Sequence, residues 1–396
     1  MTSWNLPRGY RYAGIHCGIR AAPERLDLAL VVSDTPASAA GLFTQNRVVA
    51  APVRVCQERL PRADGRGIVI CSGNANACTG QRGRDDACRM AAVAAQAVGC
   101  AAEQMLVCST GVIGRYLPMP CIEAGIRVAA DQLAGTAVGL DRAAHAILTT
   151  DTRIKVSSHT VQLAGKEVHL VGFAKGAAMI GPNLATMLAF VLSDAAVTPA
   201  DLALLARRAT DRSFHCISVE GHTSTNDTVL FFANGTGSPL GGDNLARLEE
   251  ATAAVCTELA RAIAADAEGA SHLITLSVEG LRDDAEARRI AKTVAESALV
   301  KTAVFGADPN WGRIVSAAGY AGVPFEEEAL SLWLGDLLLY DAGMPQPFDT
   351  ATASAYLKNN REVHVRLRFT LGPGRCTFWT SDLGYEYVRL NAEYTT

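Results

Sequence analysis

Two stretches in the N-terminal third share one order: a short apolar run, a loop of small residues, then an alanine-rich segment. GIVICSGNANACTG leads into QRGRDDACRMAAVAAQAVG, and QMLVCSTGVIG is followed closely by PCIEAGIRVAADQLA. Apolar, β-branched runs that end in Gly and Asn are expected to be strands, and the alanine-rich segments helices. A chain that alternates the two buries its apolar faces most economically as sheet layers covered by helices, so the expected class is α/β (α+β). LDLALVVSDTPASAAGLFT reads as a buried strand closed by Asp and Pro and followed by a loop, and VQLAGKEVHLVGFAKG as a hairpin around AGKE. TPADLALLARRATDRSF opens with a Thr cap and Pro at the first helical position. NLARLEEATAAVCTELARAIAADAEG reads as one long amphipathic helix and DDAEARRIAKTVAESALVKTAVFG as another. No Pro/Gly/Ser-rich linker divides the 396 residues and no repeat of 20 to 50 residues recurs. The length suits two ordinary domains or one continuous body.

Composition excludes several functions. A net charge of -4 without a Lys/Arg stripe among aromatics argues against a nucleic-acid partner. No apolar run reaches the roughly 18 to 20 residues that span a bilayer, and MTSWNLPRGYRYAG lacks a basic stretch followed by an apolar one. The expectation is a cytoplasmic protein without a membrane partner. The eleven cysteines contain no CxxC pair, and HExxH is missing, so neither zinc nor another metal is expected. GxxxxGK[ST] and the GxGxxG fingerprint are missing too, which argues against a nucleotide cofactor; without GxSxG the serine α/β-hydrolases lose their marker.

Five loops are richer in small, hydrogen-bonding residues than a connector requires: SGNANACTG (72–80), STGVIG (109–114), LTTDT (148–152), GHTSTNDT (221–228) and GADPNWGRI (306–314). Glycine lets backbone approach a ligand, and free N–H groups after a strand can hold an oxyanion. KGAAMIGPNLATMLAFVLSD places Thr186 where a small-residue turn meets an apolar run. A threonine hydroxyl becomes a competent nucleophile when a base takes its proton, and the α-amino group of an N-terminal threonine is such a base. Thr186 reaches that state only through a cut after Ala185. The chemistry alone leaves Thr186 open between this role and that of a buried β-branched strand residue.

KGAAMIGPNLATML resembles the KG-x-x-MI-x-PN-x-ATML segment of the ArgJ family, the ornithine acetyltransferases (glutamate N-acetyltransferases) of arginine biosynthesis. SDTPASAAGLFTQNRVVAAPV, SGNANACTG, STGVIG, TTDT, TSTNDT, GADPNWGRI and NAEYTT follow in family order over nearly the whole chain. The resemblance implies a layered αββα sandwich of the DmpA/ArgJ type, similar to the N-terminal nucleophile hydrolases. It implies self-cleavage between Ala185 and Thr186 into an α chain, 1–185, and a β chain, 186–396, that assemble as α2β2. Thr186 is then the nucleophile, Thr110 and Gly111 the oxyanion pair, and Thr152, Lys175, Thr186, Glu268, Asn391 and Thr396 the substrate-binding positions. Acetyl passes from N2-acetylornithine to glutamate by a ping-pong route without metal or organic cofactor, and acetyl-CoA is a second candidate donor. The competing readings are a DmpA-like aminopeptidase or amidohydrolase on the same scaffold and an uncut, non-catalytic binding protein. This chain departs from the family pattern at Ala178, His222, Ala267 and Glu393, which leaves substrate preference less constrained than reaction type.

Overall fold

The computed structural model describes residues 4–181 and 187–393. Strands β1 (Tyr10–Ile15) and β2 (Leu28–Phe43) are followed by α1 (Ala51–Arg59), β3 (Arg62–Asn74), α2 (Gly80–Val98), β4 (Met105–Val112), α3 (Met119–Asp131) and α4 (Ala137–Ala146). Next come β5 (Lys155–Leu163), β6 (Lys166–Lys175), β7 (Leu188–Ser193), α5 (Pro199–Asp211), β8 (Ile217–Ser218), β9 (Thr228–Ala233) and α6 (Gly242–Ala265). β10 (Leu273–Leu281), α7 (Asp284–Glu296), α8 (Ala298–Phe305), α9 (Trp311–Gly319), β11 (Ser331–Leu334) and β12 (Leu337–Asp341) lead on from there. The last elements are β13 (Met344–Pro345), α10 (Thr350–Asn359), β14 (Glu362–Arg368), β15 (Gly374–Ser381) and α11 (Tyr385–Glu393).

Among the described residues the strands form two sheets. One has the order β4-β3-β2-β9-β7-β6-β5, with β1 also paired to β2; the other has the order β13-β12-β11-β14-β10-β15-β8. This is the mixed, layered α/β class expected. In the first sheet β7 lies between β6, to which it is antiparallel, and β9, to which it is parallel. Every β7 residue is buried. Phe190 belongs to the core shared with Tyr12, Phe173 and helices α2 to α4, whereas Ala189 and Val191 face the core that continues through α5 and α6 to the second sheet. A strand buried on both faces needs the uninterrupted apolar run that LAFVLS supplies. No helix among the described residues is long and apolar enough to cross a membrane.

Local signals behave as their chemistry dictates at several points. The Thr198 hydroxyl accepts the Asp201 N–H at 3.1 Å and Pro199 opens α5. β5 and β6 form the hairpin around Ala164 and Gly165, in register from Leu163↔Lys166 to Lys155↔Ala174. Two expectations are corrected. β2 does not end at Asp34 and Pro36 but runs on to Phe43. Residues 34–36 are exposed where the pairing with β3 skips from Val32 to Ala37, so proline occupies a place in the strand that needs no ladder donor. The helix expected over 283–306 is two, α7 and α8, because Ser297 leaves helical geometry (ψ 110°) and caps α8 through the Val300 N–H.

Candidate active site

β3 and β4 run parallel in a register that sets Gly73 beside Gly111. Gly111 has φ +132°, and a Cβ there would stand 2.3 Å from the Gly73 carbonyl carbon, so no larger residue fits this approach. Thr110, one residue earlier, is buried. The buried Asn226 holds this strand end: its Nδ2 donates to the carbonyls of Ala75 (2.6 Å) and Ser109 (2.8 Å). Three of the glycine- and asparagine-rich loops therefore converge on one amide, with the Thr225 carbonyl also accepting the Ala50 N–H.

The residues on either side of 182–186 are gripped by a single stretch, 219–228. The Ile180 carbonyl accepts the N–H groups of Val219 (2.7 Å), Glu220 (3.2 Å) and Gly221 (3.1 Å), and Glu220 Oε1 takes the Ile180 N–H at 2.5 Å. Beyond the segment, Asp227 Oδ1 accepts the Met187 N–H at 3.2 Å, and the Thr228 N–H donates to the Met187 carbonyl, also at 3.2 Å. Burial drives the Asp227 carboxyl well above the usual carboxylate range, against the pull of the Met187 N–H and the Lys175 charge. Its Oδ2 is buried with no partner among the described residues.

Glu220 behaves similarly: burial pushes its carboxyl up to about 7, opposed by the Ile180 N–H and Lys301 and assisted by the Glu268 charge. An acid whose folded pKa is raised is fully accommodated below its unfolded value, near 4.3, and costs stability as pH rises from there to 7. Glu220→Gln, neutral throughout, is therefore expected to gain about 2 to 3 kcal/mol relative to the parent between pH 5 and pH 8. Melting temperatures at the two pH values check this, and a parallel pH dependence in both proteins would refute it.

A second cluster is charged. Lys155 donates to Asp151 (2.7 Å) and Asp266 (2.6 Å), and Lys175 lies 3.7 Å from Asp151, with all four side chains at most 5% exposed. Burial alone would raise Asp151, but the Lys175 and Lys155 ammoniums and the Gly176 N–H (2.6 Å) hold it well below the usual carboxylate range. Lys175 is itself lowered, by burial first and then by Lys155 and Arg20, against the attraction of Asp151 and Glu268. Thr152 joins the cluster through its hydroxyl and its N–H, both donated to Asp266, the latter at 3.1 Å. The Glu268 N–H donates to the Ala177 carbonyl at 2.8 Å, and Asn391 Nδ2 donates to Glu268 Oε2 at 3.2 Å.

Thr152, Lys175, Glu268 and Asn391 are thus brought into one region, and Thr110 and Gly111 lie at the strand end that Asn226 ties to the 219–228 stretch. Ala185, Thr186 and Thr396 lie outside the described residues. Loop 306–314 stands elsewhere, with Trp311 stacked on Tyr340. Among the departures, Glu393 pairs with Arg389 of its own helix at 3.3 Å. The sequence reading did not single out Asp151, Lys155, Glu220, Asn226, Asp227 or Asp266. Asp151 and Asp227 sit in the quoted loops TTDT and TSTNDT, which was the available signal; nothing local marks Lys155 or Asp266 as buried.

The ArgJ family model matches residues 11–396. The chain belongs to the ArgJ family. The arginine biosynthesis bifunctional protein ArgJ of Rhodopirellula baltica is 43% identical over 400 residues, covering 100% of this chain and 97% of its own. Its counterpart in Gloeobacter violaceus is 46% identical over 399 residues, covering 98% and 97%. The crystal structure of the arginine biosynthesis bifunctional protein from Bacillus halodurans superposes with a TM-score of 0.50 at 38% identity, over 52% of this chain and 98% of that one.

Proposed function

We propose that this ArgJ-family chain is an acyltransferase of arginine biosynthesis that moves acetyl from N2-acetylornithine to glutamate through an ester on Thr186. The observation that carries the reading is the adjacency of Asn226 and Asp227. One side chain holds the Ser109 carbonyl, next to Thr110 and Gly111, and its neighbour holds the amide of Met187, the residue after Thr186. Two consecutive residues thereby tie the oxyanion pair to the nucleophile's end of β7.

The chain is cut between Ala185 and Thr186. The freed α-amino group takes the Thr186 hydroxyl proton as the oxygen attacks the acetamide carbonyl. The Thr110 hydroxyl and Gly111 N–H receive the developing charge, and ornithine departs with the proton. The glutamate α-amine then attacks the ester and regenerates the hydroxyl. Splitting one amide exchange into two acyl transfers lowers each barrier. Lys175 suits a substrate carboxylate, and Glu268 with Asn391 the ornithine ammonium. Thr152 and Thr396 complete the binding set.

The Bacillus chain supports the cut: 98% of it is matched by 52% of this chain, close to the share held by residues 186–396 (396 - 185 = 211 residues, about 53%). After cleavage the halves remain joined by the β6–β7 and β2–β9 ladders, whose strands lie on opposite sides of the junction. Assembly as α2β2, cytoplasmic location and use of acetyl-CoA as a second donor, in keeping with the word bifunctional in the relatives' names, belong to the same proposal.

Intact mass spectrometry after incubation with N2-acetylornithine tests it. Two chains are expected, the one beginning at Thr186 carrying one acetyl group that glutamate removes as N-acetylglutamate. Acetate released at the same rate without glutamate would replace transfer by hydrolysis.

A further inference from the structure

The donor and the acceptor of this transfer differ in one decisive respect: the ornithine tail ends in an ammonium and the glutamate tail in a carboxylate. A single pocket built around Glu268 attracts the first and repels the second, since like charges at close range disfavour binding in a poorly solvated site. The structure holds a second surface of opposite sign beside the oxyanion pair. A cleft of about 400 Å³ is lined by Arg20, Arg25, Gly73, Gly111, Arg115 and Thr149, among others, and no Asp or Glu is among its described lining residues. Glu24, Asp141 and Asp151 line the adjoining cleft, and the buried Asp27 and Asp151 carboxylates accept backbone N–H groups of the lining residues Ile19, Arg20 and Thr149.

The three guanidiniums are positioned rather than scattered. The Arg20 stem lies across Gly73, where a Cβ would stand 2.9 Å from Arg20 Cγ, and Gly73 in turn abuts Gly111. Arg20 also donates to the Leu148 carbonyl, and Arg25 Nη1 to the Thr149 carbonyl at 3.3 Å, so the 148–151 loop aligns both. Arg115, exposed three residues beyond Val112, has no ion pair among the described residues. The buried Lys175 feels both sets of charge, Arg20 lowering its affinity for a proton and Glu268 raising it.

We propose that the Arg20–Arg25–Arg115 cleft is the subsite for the side-chain carboxylate of the acyl acceptor, glutamate, separate from the Glu268–Asn391 flank that takes the ornithine ammonium. This rests on the acetyltransferase reading above. Both substrates present their common amino-acid end to Lys175 and the oxyanion pair, and their tails diverge according to charge. The guanidinium fork matches a carboxylate with paired N–H donors.

The test is calorimetric titration of the cleaved full protein and of its Arg25→Ala/Arg115→Ala variant with glutamate, glutamine, ornithine and acetyl-CoA. Loss of charge-assisted hydrogen bonds is expected to weaken glutamate binding about tenfold or more, with a much smaller change for glutamine and ornithine. Steady-state rates should show the same preference, the glutamate-to-glutamine ratio of kcat/KM collapsing in the variant and partly returning in Arg25→Lys/Arg115→Lys. Unchanged glutamate affinity overturns the proposal. A loss confined to acetyl-CoA overturns it as well, because the cleft would then hold a phosphate of the donor. The titration needs no turnover, so a protein that never acquires acetyl on Thr186 would sink the transfer reading while still deciding the fate of the cleft.

Discussion

Thr186→Ala is expected to remain a single chain of 41.7 kDa and to lose acetyl transfer by about ten-thousand-fold or more, the scale on which removal of a covalent nucleophile is felt. In the proposed mechanism the two losses coincide because one hydroxyl would serve twice. It would attack the Ala185 carbonyl to open the chain and later carry the acetyl group. The base for the second task, the α-amine of residue 186, would not exist until the first is complete. Thr186→Ser separates these roles: it keeps a hydroxyl and an α-amine, so it should still cut, more slowly, and still transfer. Denaturing electrophoresis reads the cut and ornithine release reads the transfer. The variant should also fold, since the described β7 pairings with β6 and β9, from Leu188 to Ser193, keep all their partners. An uncut Thr186→Ala protein with parental activity would end the covalent reading.

What the sequence showed of this machinery followed the range of the forces involved. Periodicity and capping are local, so the β5–β6 hairpin, the Thr198 cap and the buried run of β7 were legible. The break at Ser297 was not, because helical periodicity continues across it and only the backbone reveals that Ser297 turns outward to cap the next helix. β2 was misjudged at Pro36 because a proline ends a central strand but is tolerated where a partner strand skips a step. At the site, motif residues came from family resemblance, whereas their supports were hidden. Asn226 acts on Ala75 and Ser109 across 151 and 117 positions, and Lys155 meets Asp266 across 111 positions. No spacing rule reaches contacts of that kind.

Asp151→Asn is expected to destabilise the protein by about 3 to 5 kcal/mol at pH 7, the cost of leaving buried charge without its counter-ion. The cluster is balanced: two lysines, 155 and 175, face two aspartates, 151 and 266. Removing the Asp151 charge leaves two buried ammoniums on one carboxylate and deprives Lys175 of the carboxylate within 4 Å. The pH dependence follows from the direction of the shift. Asp151 is depressed in the folded state, so its stabilising contribution is complete above its unfolded value, near 3.9, and fades as pH falls from there toward the lower folded value. The deficit of the variant should therefore shrink in acid. It should shrink in alkali too, because Lys175, already lowered by burial, would be lowered further without Asp151; a base with a depressed folded pKa costs stability while charged and recovers as pH rises through that value. Denaturant unfolding at fixed protein concentration, at pH 3, 7 and 9, should give the largest gap at pH 7. Asp151→Asn combined with Lys175→Met, which removes both members of the pair, should recover part of the loss. A deficit below about 1 kcal/mol, or one that grows on acidification, would show that the four charges are not coupled as their distances imply.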